Sequence, residues 1–327
     1  MKAFWCGVCG NRLFFENSVC VSCETPLGYS RAERQIVPLD AETGTYTDAA
    51  DIVWTVCANL GLSGCTWLTT DESGLCFSCG LTRTRPNDAD LEGIVNYAPA
   101  ERAKRHLIAE LDAVGIPILD KRVDERGVAF DLLSSVAEPV TIGHADGIVT
   151  IDLAEAEDAH RERIRAMLDE PYRTMLGHFR HEIGHYYESF LVADDATRAR
   201  YRALFGDETE DYHAAIDRHY AEGAPADWQA NYISQYATMH PFEDFAETWA
   251  HYLHISDAIQ TADEFGILRT VDAASFRELV VDFWIPLSTA LNMMNRSMGS
   301  DDLYPFVISD PVLDKLDFVA GLAAAPA

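Results

Sequence analysis

All eight cysteines of this 327-residue chain lie before residue 80, and this asymmetry constrains the fold more than any other feature. Cys6 and Cys9 form one C-x-x-C pair, and Cys20 and Cys23 form a second pair ten residues further on. Two residues between thiols let both sulfurs turn onto one tetrahedral ion, and a second pair completes the coordination. The spacing predicts an N-terminal zinc ribbon. Its ion is structural, since four thiolates leave no open position.

The remaining four cysteines predict a second zinc site on weaker grounds. Cys76 and Cys79 repeat the C-x-x-C spacing, whereas Cys57 and Cys65 are eight positions apart. The alternative is that Cys57 and Cys65 are small buried apolar residues. A ribbon of about 30 residues buries too little apolar surface to fold alone, so the ion supplies the folding energy.

The net charge of −28 restricts the partners that we expect. A strong polyanion repels nucleic acid and anionic membranes, so we expect neither as a partner. No apolar run approaches the roughly 20 residues that span a bilayer, and the N-terminal residues show no signal core. We therefore expect a cytoplasmic protein with reduced thiols. Residues 1–90 hold six Lys/Arg and eleven Asp/Glu, which favours a protein partner for the ribbons or docking on the rest of the chain.

The chain beyond the cysteines predicts a second domain. Residues 83–93 are polar, contain Pro86 and Gly93 and are typical of a linker, so we place domains at 1–85 and 94–327. A helix is expected from about Pro99, followed by short β-strands at 127–133 and 147–153 and mostly helical sequence from residue 197. The predicted fold class is α+β, with zinc ribbons before a mainly helical domain that has a small sheet.

The segment His181-Glu182-Ile183-Gly184-His185 is the strongest candidate for a catalytic site. On a helix, residues four apart share one face, so two imidazoles so placed can hold one zinc ion. Glu182 then lies beside the metal, where it can take a proton from water. Gly184 is unfavourable in a helix by up to about 1 kcal/mol, and the close approach of another element would explain it.

His178 lies near the same face but about 10 Å along the axis from His185, so one helix cannot bring both to one ion. We consider it a residue that supports the site or lines its cleft, with a simple surface histidine as the alternative.

A third metal ligand is expected from a later helix, within Pro241-Phe-Glu-Asp-Phe-Ala-Glu247. Glu243 and Glu247 lie on one face of an otherwise largely apolar helix, so their carboxylates need a partner. We favour Glu243 as the ligand and Glu247 as the acceptor of a hydrogen bond that orients a ligand histidine. The reverse assignment, and Asp244 as a ligand, stay open.

These segments together resemble the bacterial zinc-binding metallopeptidases that carry an N-terminal zinc ribbon. The resemblance covers nearly the whole chain and includes the cysteine pairs and three further segments: GHFRHEIGHYY, HPFEDFAETWAHYLH and LNMMNRSMGSDDLYPFV. It implies a zincin-like domain with one catalytic zinc ion, besides one or two structural ions.

The segment Glu243-Asp-Phe-Ala-Glu247 is also similar to the third-ligand helix of glutamate-type zincins, where the first glutamate binds zinc and the second supports it. In that group a tyrosine seven residues before the ligand faces the metal, and Tyr236 has this spacing here. The resemblance implies that Tyr236 donates to the oxyanion, with a packed core tyrosine as the alternative.

We therefore expect a zinc-dependent peptidase in which Glu182 is the general base for water attack on a peptide carbonyl. Residues 147–153 are a candidate edge strand for an extended substrate. The alternative function is a non-enzymatic adaptor, with ribbons that bind a protein partner and the second domain as a scaffold. A scaffold has no need of Glu182, which counts against this alternative.

Overall fold

A computed structural model describes residues 1–168, 173–269 and 271–324 of the chain. It confirms the predicted α+β class, with cysteine-rich N-terminal strands followed by mostly helical structure. The chain divides into two compact units. The first comprises Met1–Ala113, Ile118–Gly143 and Ile148–Arg161, and the second comprises Val114–Pro117, His144–Gly147 and the described part of 162–327. The domain limits 1–85 and 94–327 stay predictions.

The strands of the chain are short. They are β1 Phe4–Trp5, β2 Arg12–Leu13, β3 Leu27–Ser30, β4 Gln35–Pro38, β5 Thr45–Thr47, β6 Val53–Val56, β7 Leu68–Thr69, β8 Thr82–Thr84, β9 Ala129–Leu133, β10 Gly143–Ala145 and β11 Ile148–Asp152. The first seven form two antiparallel pairs, β1-β2 and β3-β4, and a three-stranded sheet in the order β5-β6-β7. The buried rings of Phe4, Phe15, Tyr29 and Trp67 contact one another beside these strands. Hairpins this small are marginal alone, so ions bound by the cysteines would add to this support.

The last four strands form one sheet in the order β10-β11-β9-β8. Strand β9 pairs in parallel with both β8 and β11. Because β11 lies between β9 and β10, the prediction that residues 147–153 form an edge strand for substrate was wrong. Its neighbours are β9 on one side and β10 on the other, so it is an inner strand of this sheet and not the edge strand that β-strand addition requires.

The helices are α1 Leu60–Ser63, α2 Phe77–Gly80, α3 Leu91–Val114, α4 Asp158–Leu168, α5 Met175–Leu191, α6 Asp195–Phe205, α7 Tyr212–Glu222, α8 Pro241–Glu264, α9 Phe276–Glu278, α10 Ile285–Ser297 and α11 Asp310–Ala324. Residues 279–284 form a π-helical segment that joins α9 to α10. No helix in the described ranges has both the length and the apolar character needed to cross a membrane.

Helix α3 begins earlier than predicted. It starts at Leu91, so Pro99 lies inside the helix rather than in its first turn. Proline removes one backbone hydrogen bond there, and burial of one face compensates for it. Residues Ala100, Leu107, Ile108 and Leu111 of that face are fully buried.

Helices α5 and α8 pack together at the centre of the second unit. Aromatic rings fill the space around them: Tyr187 stacks on Trp249 at 4.8 Å, and Phe245 contacts Trp249, Tyr201 and Phe205. A Cβ atom built on Gly184 would lie 3.0 Å from Ala246 Cα and 3.1 Å from Trp249 Cβ. This confirms that Gly184 is required by the close approach of another element.

Candidate metal centre

The first cysteine cluster, Cys6, Cys9, Cys20 and Cys23, has the geometry of a tetrahedral thiolate site. Its four sulfurs lie within 4.8 Å of one another. The pairs Cys6–Cys23 and Cys9–Cys20 are each 3.7 Å apart, too far for disulfides. Zinc–sulfur bonds of about 2.3 Å place the sulfurs of a tetrahedron about 3.8 Å apart, so the cluster fits zinc.

The second cysteine cluster, Cys57, Cys65, Cys76 and Cys79, meets the same criterion. Its sulfurs lie within 4.8 Å of one another, and Cys65 and Cys76 are 3.6 Å apart. All four residues are buried, whereas Cys9 in the first cluster is exposed. The backbone N–H of Cys76 also donates to the Cys57 sulfur at 3.3 Å. These four thiols therefore lie together as one cluster that could hold a metal ion.

Buried charged residues lie beside the second cysteine cluster, and no spacing pattern in the sequence predicted them. Glu101 lies 3.8 Å from the Cys79 sulfur, and Lys104 donates to Glu101 at 2.7 Å. Arg105 donates to Glu16 at 3.0 Å and to the Ser63 carbonyl. Lys104 and Arg105 are fully buried. Since four thiolates on one zinc ion carry a net negative charge, buried cations beside them are electrostatically favourable.

The local sequence explains how α5 holds its histidines. Thr174 caps the helix by accepting a hydrogen bond from the Gly177 N–H at 2.9 Å. The buried apolar residues Phe179, Ile183 and Tyr187 recur at spacings of four. This periodicity places His181 and His185 on one face, with ring centroids 4.9 Å apart.

The start of helix α8 is set by a proline and a capping side chain, just before the carboxylates of the cluster. Pro241 occupies its first turn, and the His240 side chain caps it by accepting from the Phe242 N–H at 3.1 Å. Glu243 therefore lies in the first turn, where a negative charge is favoured by the helix dipole. Phe242 stacks on the His185 ring with a centroid distance of 3.9 Å and fixes the plane of that ring.

His181, His185 and Glu243 form a histidine–glutamate cluster whose ligand atoms lie within 4.8 Å of one another. Oε2 of Glu243 is 3.0 Å from Nε2 of His181 and 3.5 Å from Nε2 of His185. Ligands about 2.0–2.1 Å from a tetrahedral zinc ion are separated by about 3.3 Å, so the three atoms fit this ion.

Glu247 contacts the other nitrogen of His181. Its Oε1 lies 2.8 Å from Nδ1, so an N–H on Nδ1 donates to the carboxylate and leaves Nε2 facing Glu243. This is the arrangement expected of a carboxylate that orients a ligand histidine. Asp244 points away and forms a buried ion pair with Lys315 at 2.6 Å.

The pKa values of Glu243 and His181 each depend on the neighbouring groups of the cluster. Burial alone would raise the pKa of the Glu243 carboxyl, but the neighbouring His185 and His181 rings hold it well below its usual range. Burial likewise opposes the charge on His181, yet hydrogen bonds to Glu243 and Glu247 raise its pKa well above the usual value. A cation is therefore strongly favoured among these groups, which is the electrostatic condition for a metal site.

Three further residues were predicted to belong to the site, namely Glu182, Tyr236 and His178. Glu182 is buried, and its Oε2 has no hydrogen-bond partner among the described residues. The Tyr236 ring lies 5.9 Å from the His181 ring. His178 is half-buried on α5 and is not part of the histidine–glutamate cluster.

Tyr212 is a residue that the sequence analysis missed. Its hydroxyl donates to Glu243 Oε1 at 2.7 Å, on the carboxylate oxygen that does not face the histidines. Burial, together with the charge of Glu243, raises the pKa of Tyr212, so the hydroxyl keeps its proton for this bond. Tyr212 is 31 residues before Glu243 in the sequence, and no spacing pattern links the two.

Comparisons with known proteins agree with this geometry. Residues 94–322 match the family model described as "Putative zinc-binding metallo-peptidase", and residues 3–90 match a zinc-ribbon domain. The chain is 48% identical over 330 residues to uncharacterized proteins of Mycobacterium bovis and of two Mycobacterium tuberculosis strains, CDC 1551 and H37Rv. The alignments cover 98% of this chain and 94% of each relative. No solved structure matches the chain.

Proposed function

Because the chain belongs to the zinc-binding metallo-peptidase family, we propose that it is a zinc-dependent peptidase that hydrolyses peptide or protein substrates. The observation that carries this proposal is the histidine–glutamate cluster, with Glu182 next to His181 in the same helix. Three ligands from the protein leave one position for solvent or substrate, which distinguishes a catalytic zinc site from a four-cysteine site.

His181, His185 and Glu243 would hold the catalytic ion, and Glu247 would orient His181. When bound, zinc supplies Lewis-acid chemistry: it polarises the substrate carbonyl and makes water acidic enough to be a nucleophile near neutral pH. With zinc bound, the hydrogen bond from His181 Nδ1 to Glu247 would leave Nε2 as the nitrogen that binds the ion.

Glu182 is the proposed general base. It accepts a proton from the attacking water and delivers it to the amine that leaves. Its buried carboxylate oxygen lacks a partner within the described part of the chain, so no other side chain competes for that proton. Tyr236 is the proposed donor to the oxyanion that forms at the carbonyl, because its ring adjoins that of His181 and burial raises the pKa of its hydroxyl.

We further propose three zinc ions, one catalytic and two structural, since each of the three clusters fits one ion. The acidic balance of residues 1–90 supports a protein partner for the ribbons rather than nucleic acid. A reducing cytoplasmic location is consistent with eight cysteines that form no disulfide. The adaptor alternative is not favoured, since a scaffold has no need of Glu182 beside the histidine–glutamate cluster.

Replacement of Glu182 by Gln tests the proposed function. Glu182→Gln preserves shape and removes the base, so peptide hydrolysis should fall by at least about 100-fold while the zinc content stays unchanged. Glu188→Gln, on the same helix, is the matched control. Burial raises the pKa of Glu188 to about 8, so near pH 7 an amide closely mimics its protonated form. Equal rates for Glu182→Gln and the wild type would remove Glu182 from the mechanism.

A further inference from the structure

Helix α7 presents one of its faces to the histidine–glutamate cluster. Tyr212, Ile216 and His219 follow one another at spacings of four and three residues, so they lie on one face of this helix. Tyr212 joins that face to the cluster, because its hydroxyl donates to the Glu243 carboxylate at 2.7 Å. The other end of the same face, two turns away, carries His219.

His219 contacts the tyrosine that adjoins the ligand His181. The centroid of its ring lies 6.2 Å from that of Tyr236, with the ring planes at 88°, and Tyr236 in turn lies 5.9 Å from His181. The Tyr220 ring adjoins His219 at 5.8 Å and is 67% exposed. His219 and Tyr236 are each half-buried, so both keep an open edge. Tyr236, His219 and Tyr220 thus form a ring wall that leads from the cluster to solvent.

The ring wall carries no charge near pH 7. Burial holds the pKa of His219 below its ordinary value, so the imidazole is largely neutral. Within the described part of the chain, its ring has no hydrogen-bond partner. The charged residues of α7 are all exposed, namely Asp217, Arg218 and Glu222. A charged group placed against neutral rings loses hydration without gaining a partner, whereas an apolar or aromatic group gains contact.

We propose that the ring wall is the subsite that receives a substrate side chain beside the cleaved peptide bond, and that it selects aromatic or large aliphatic side chains. This inference rests on the proposed peptidase function and adds a substrate preference to it. Tyr236 is the proposed donor to the attacked carbonyl, so a side chain next to that carbonyl is within reach of the adjoining His219 ring. His219 is the specificity-determining residue, because its ring contacts both tyrosines.

Peptide binding to the zinc-loaded Glu182→Gln protein tests the ring wall without requiring turnover. The peptides share glycine and serine flanks and differ at one central position, which holds Phe, Leu, Ala, Lys or Glu. Calorimetry gives the dissociation constant of each. We expect the Phe and Leu peptides to bind at least about tenfold more tightly than the other three, because a large apolar side chain buries more surface against the rings.

Substitutions of His219, added to Glu182→Gln, assign this preference to the ring wall. His219→Ala should reduce the preference for Phe over Ala to about threefold or less, with the affinity for the Ala peptide unchanged. His219→Phe keeps a ring and should retain the preference, whereas His219→Gln keeps only hydrogen-bonding groups and should lose it. His213→Ala is the matched control, because this exposed imidazole of α7 lies outside the ring wall and its removal should change no dissociation constant.

Full retention of the preference in His219→Ala would overturn the proposal, as would tightest binding of the Lys or Glu peptide or no binding of any peptide. Loss in His219→Phe with retention in His219→Gln would also overturn it, since His219 would then act through a hydrogen bond. Failure of the peptidase function has a different signature: the wild type cleaves no peptide, while the binding preference still depends on His219. If Glu182→Gln hydrolyses the peptides, the ratios of kcat/KM between peptides replace the dissociation constants.

Discussion

Two tyrosines adjoin the histidine–glutamate cluster, and their contacts assign them different tasks. Tyr212 donates a hydrogen bond to the Glu243 carboxylate, whereas Tyr236 adjoins the His181 ring without a described bond to a ligand. A tyrosine hydroxyl that donates a hydrogen bond to a metal ligand stabilises metal binding throughout the reaction. A phenol that faces substrate acts only when charge develops on the carbonyl oxygen. The two are therefore separable by experiment.

Tyr212→Phe should weaken zinc binding at the histidine–glutamate cluster by about tenfold, because one oxygen of Glu243 loses its only described donor. Competition with a chelator of known affinity measures this change. A zinc affinity equal to that of the wild type would show that the hydrogen bond is dispensable.

Tyr236→Phe should leave zinc affinity unchanged and lower kcat by about 100-fold, with little change in KM, because the lost donor acts on the transition state. Steady-state kinetics on a cleaved peptide measures this. A wild-type kcat would identify Tyr236 as a packed core tyrosine.

At the scale of elements, the metal centre depends on how closely α5 and α8 approach. The helices bring their ligands together across a contact in which Gly184 faces the backbone of Ala246. Interiors packed this densely transmit small displacements, so an added methyl group at this contact also moves His181 and His185 relative to Glu243.

Gly184→Ala should lower the free energy of unfolding by about 1–2 kcal/mol, since overpacking outweighs the gain of up to about 1 kcal/mol in helix propensity. Urea denaturation of the zinc-loaded protein measures the change. Gly321→Ala in α11 is the control, because its Cβ would meet no atom within 4 Å and should stabilise the helix. Stabilisation by both substitutions would contradict the close contact.

At the scale of the whole molecule, the two cysteine clusters differ in burial. The first contains the exposed Cys9 and the half-buried Cys23, whereas all four thiols of the second are buried. Attack on a zinc-bound thiolate requires access to the sulfur. The clusters should therefore lose their ions at different rates.

Zinc should leave the first cysteine cluster at least about tenfold faster than the second when the protein is treated with an alkylating reagent and a chelator. Mass mapping of the modified cysteines over time assigns each release. Simultaneous modification of both clusters would show that they unfold as one.

The spacing of residues along the sequence predicted those features that lie within a single short segment of the chain. The C-x-x-C pairs and the positions of His181 and His185 follow from the reach of a turn and the period of a helix. Strand order and the Tyr212–Glu243 bond depend on tertiary packing, which no local pattern encodes. The true start of α3 was missed because buried apolar residues outweighed the usual position of Pro99.

X-ray anomalous scattering at the zinc edge would locate each zinc ion bound to the protein and identify its ligands. We expect three peaks, one within each cysteine cluster and one bound by His181 Nε2, His185 Nε2 and a Glu243 oxygen, with Glu247 hydrogen-bonded to His181 rather than bound to the ion. The absence of a peak among His181, His185 and Glu243 in zinc-replete protein would contradict the proposed metal centre.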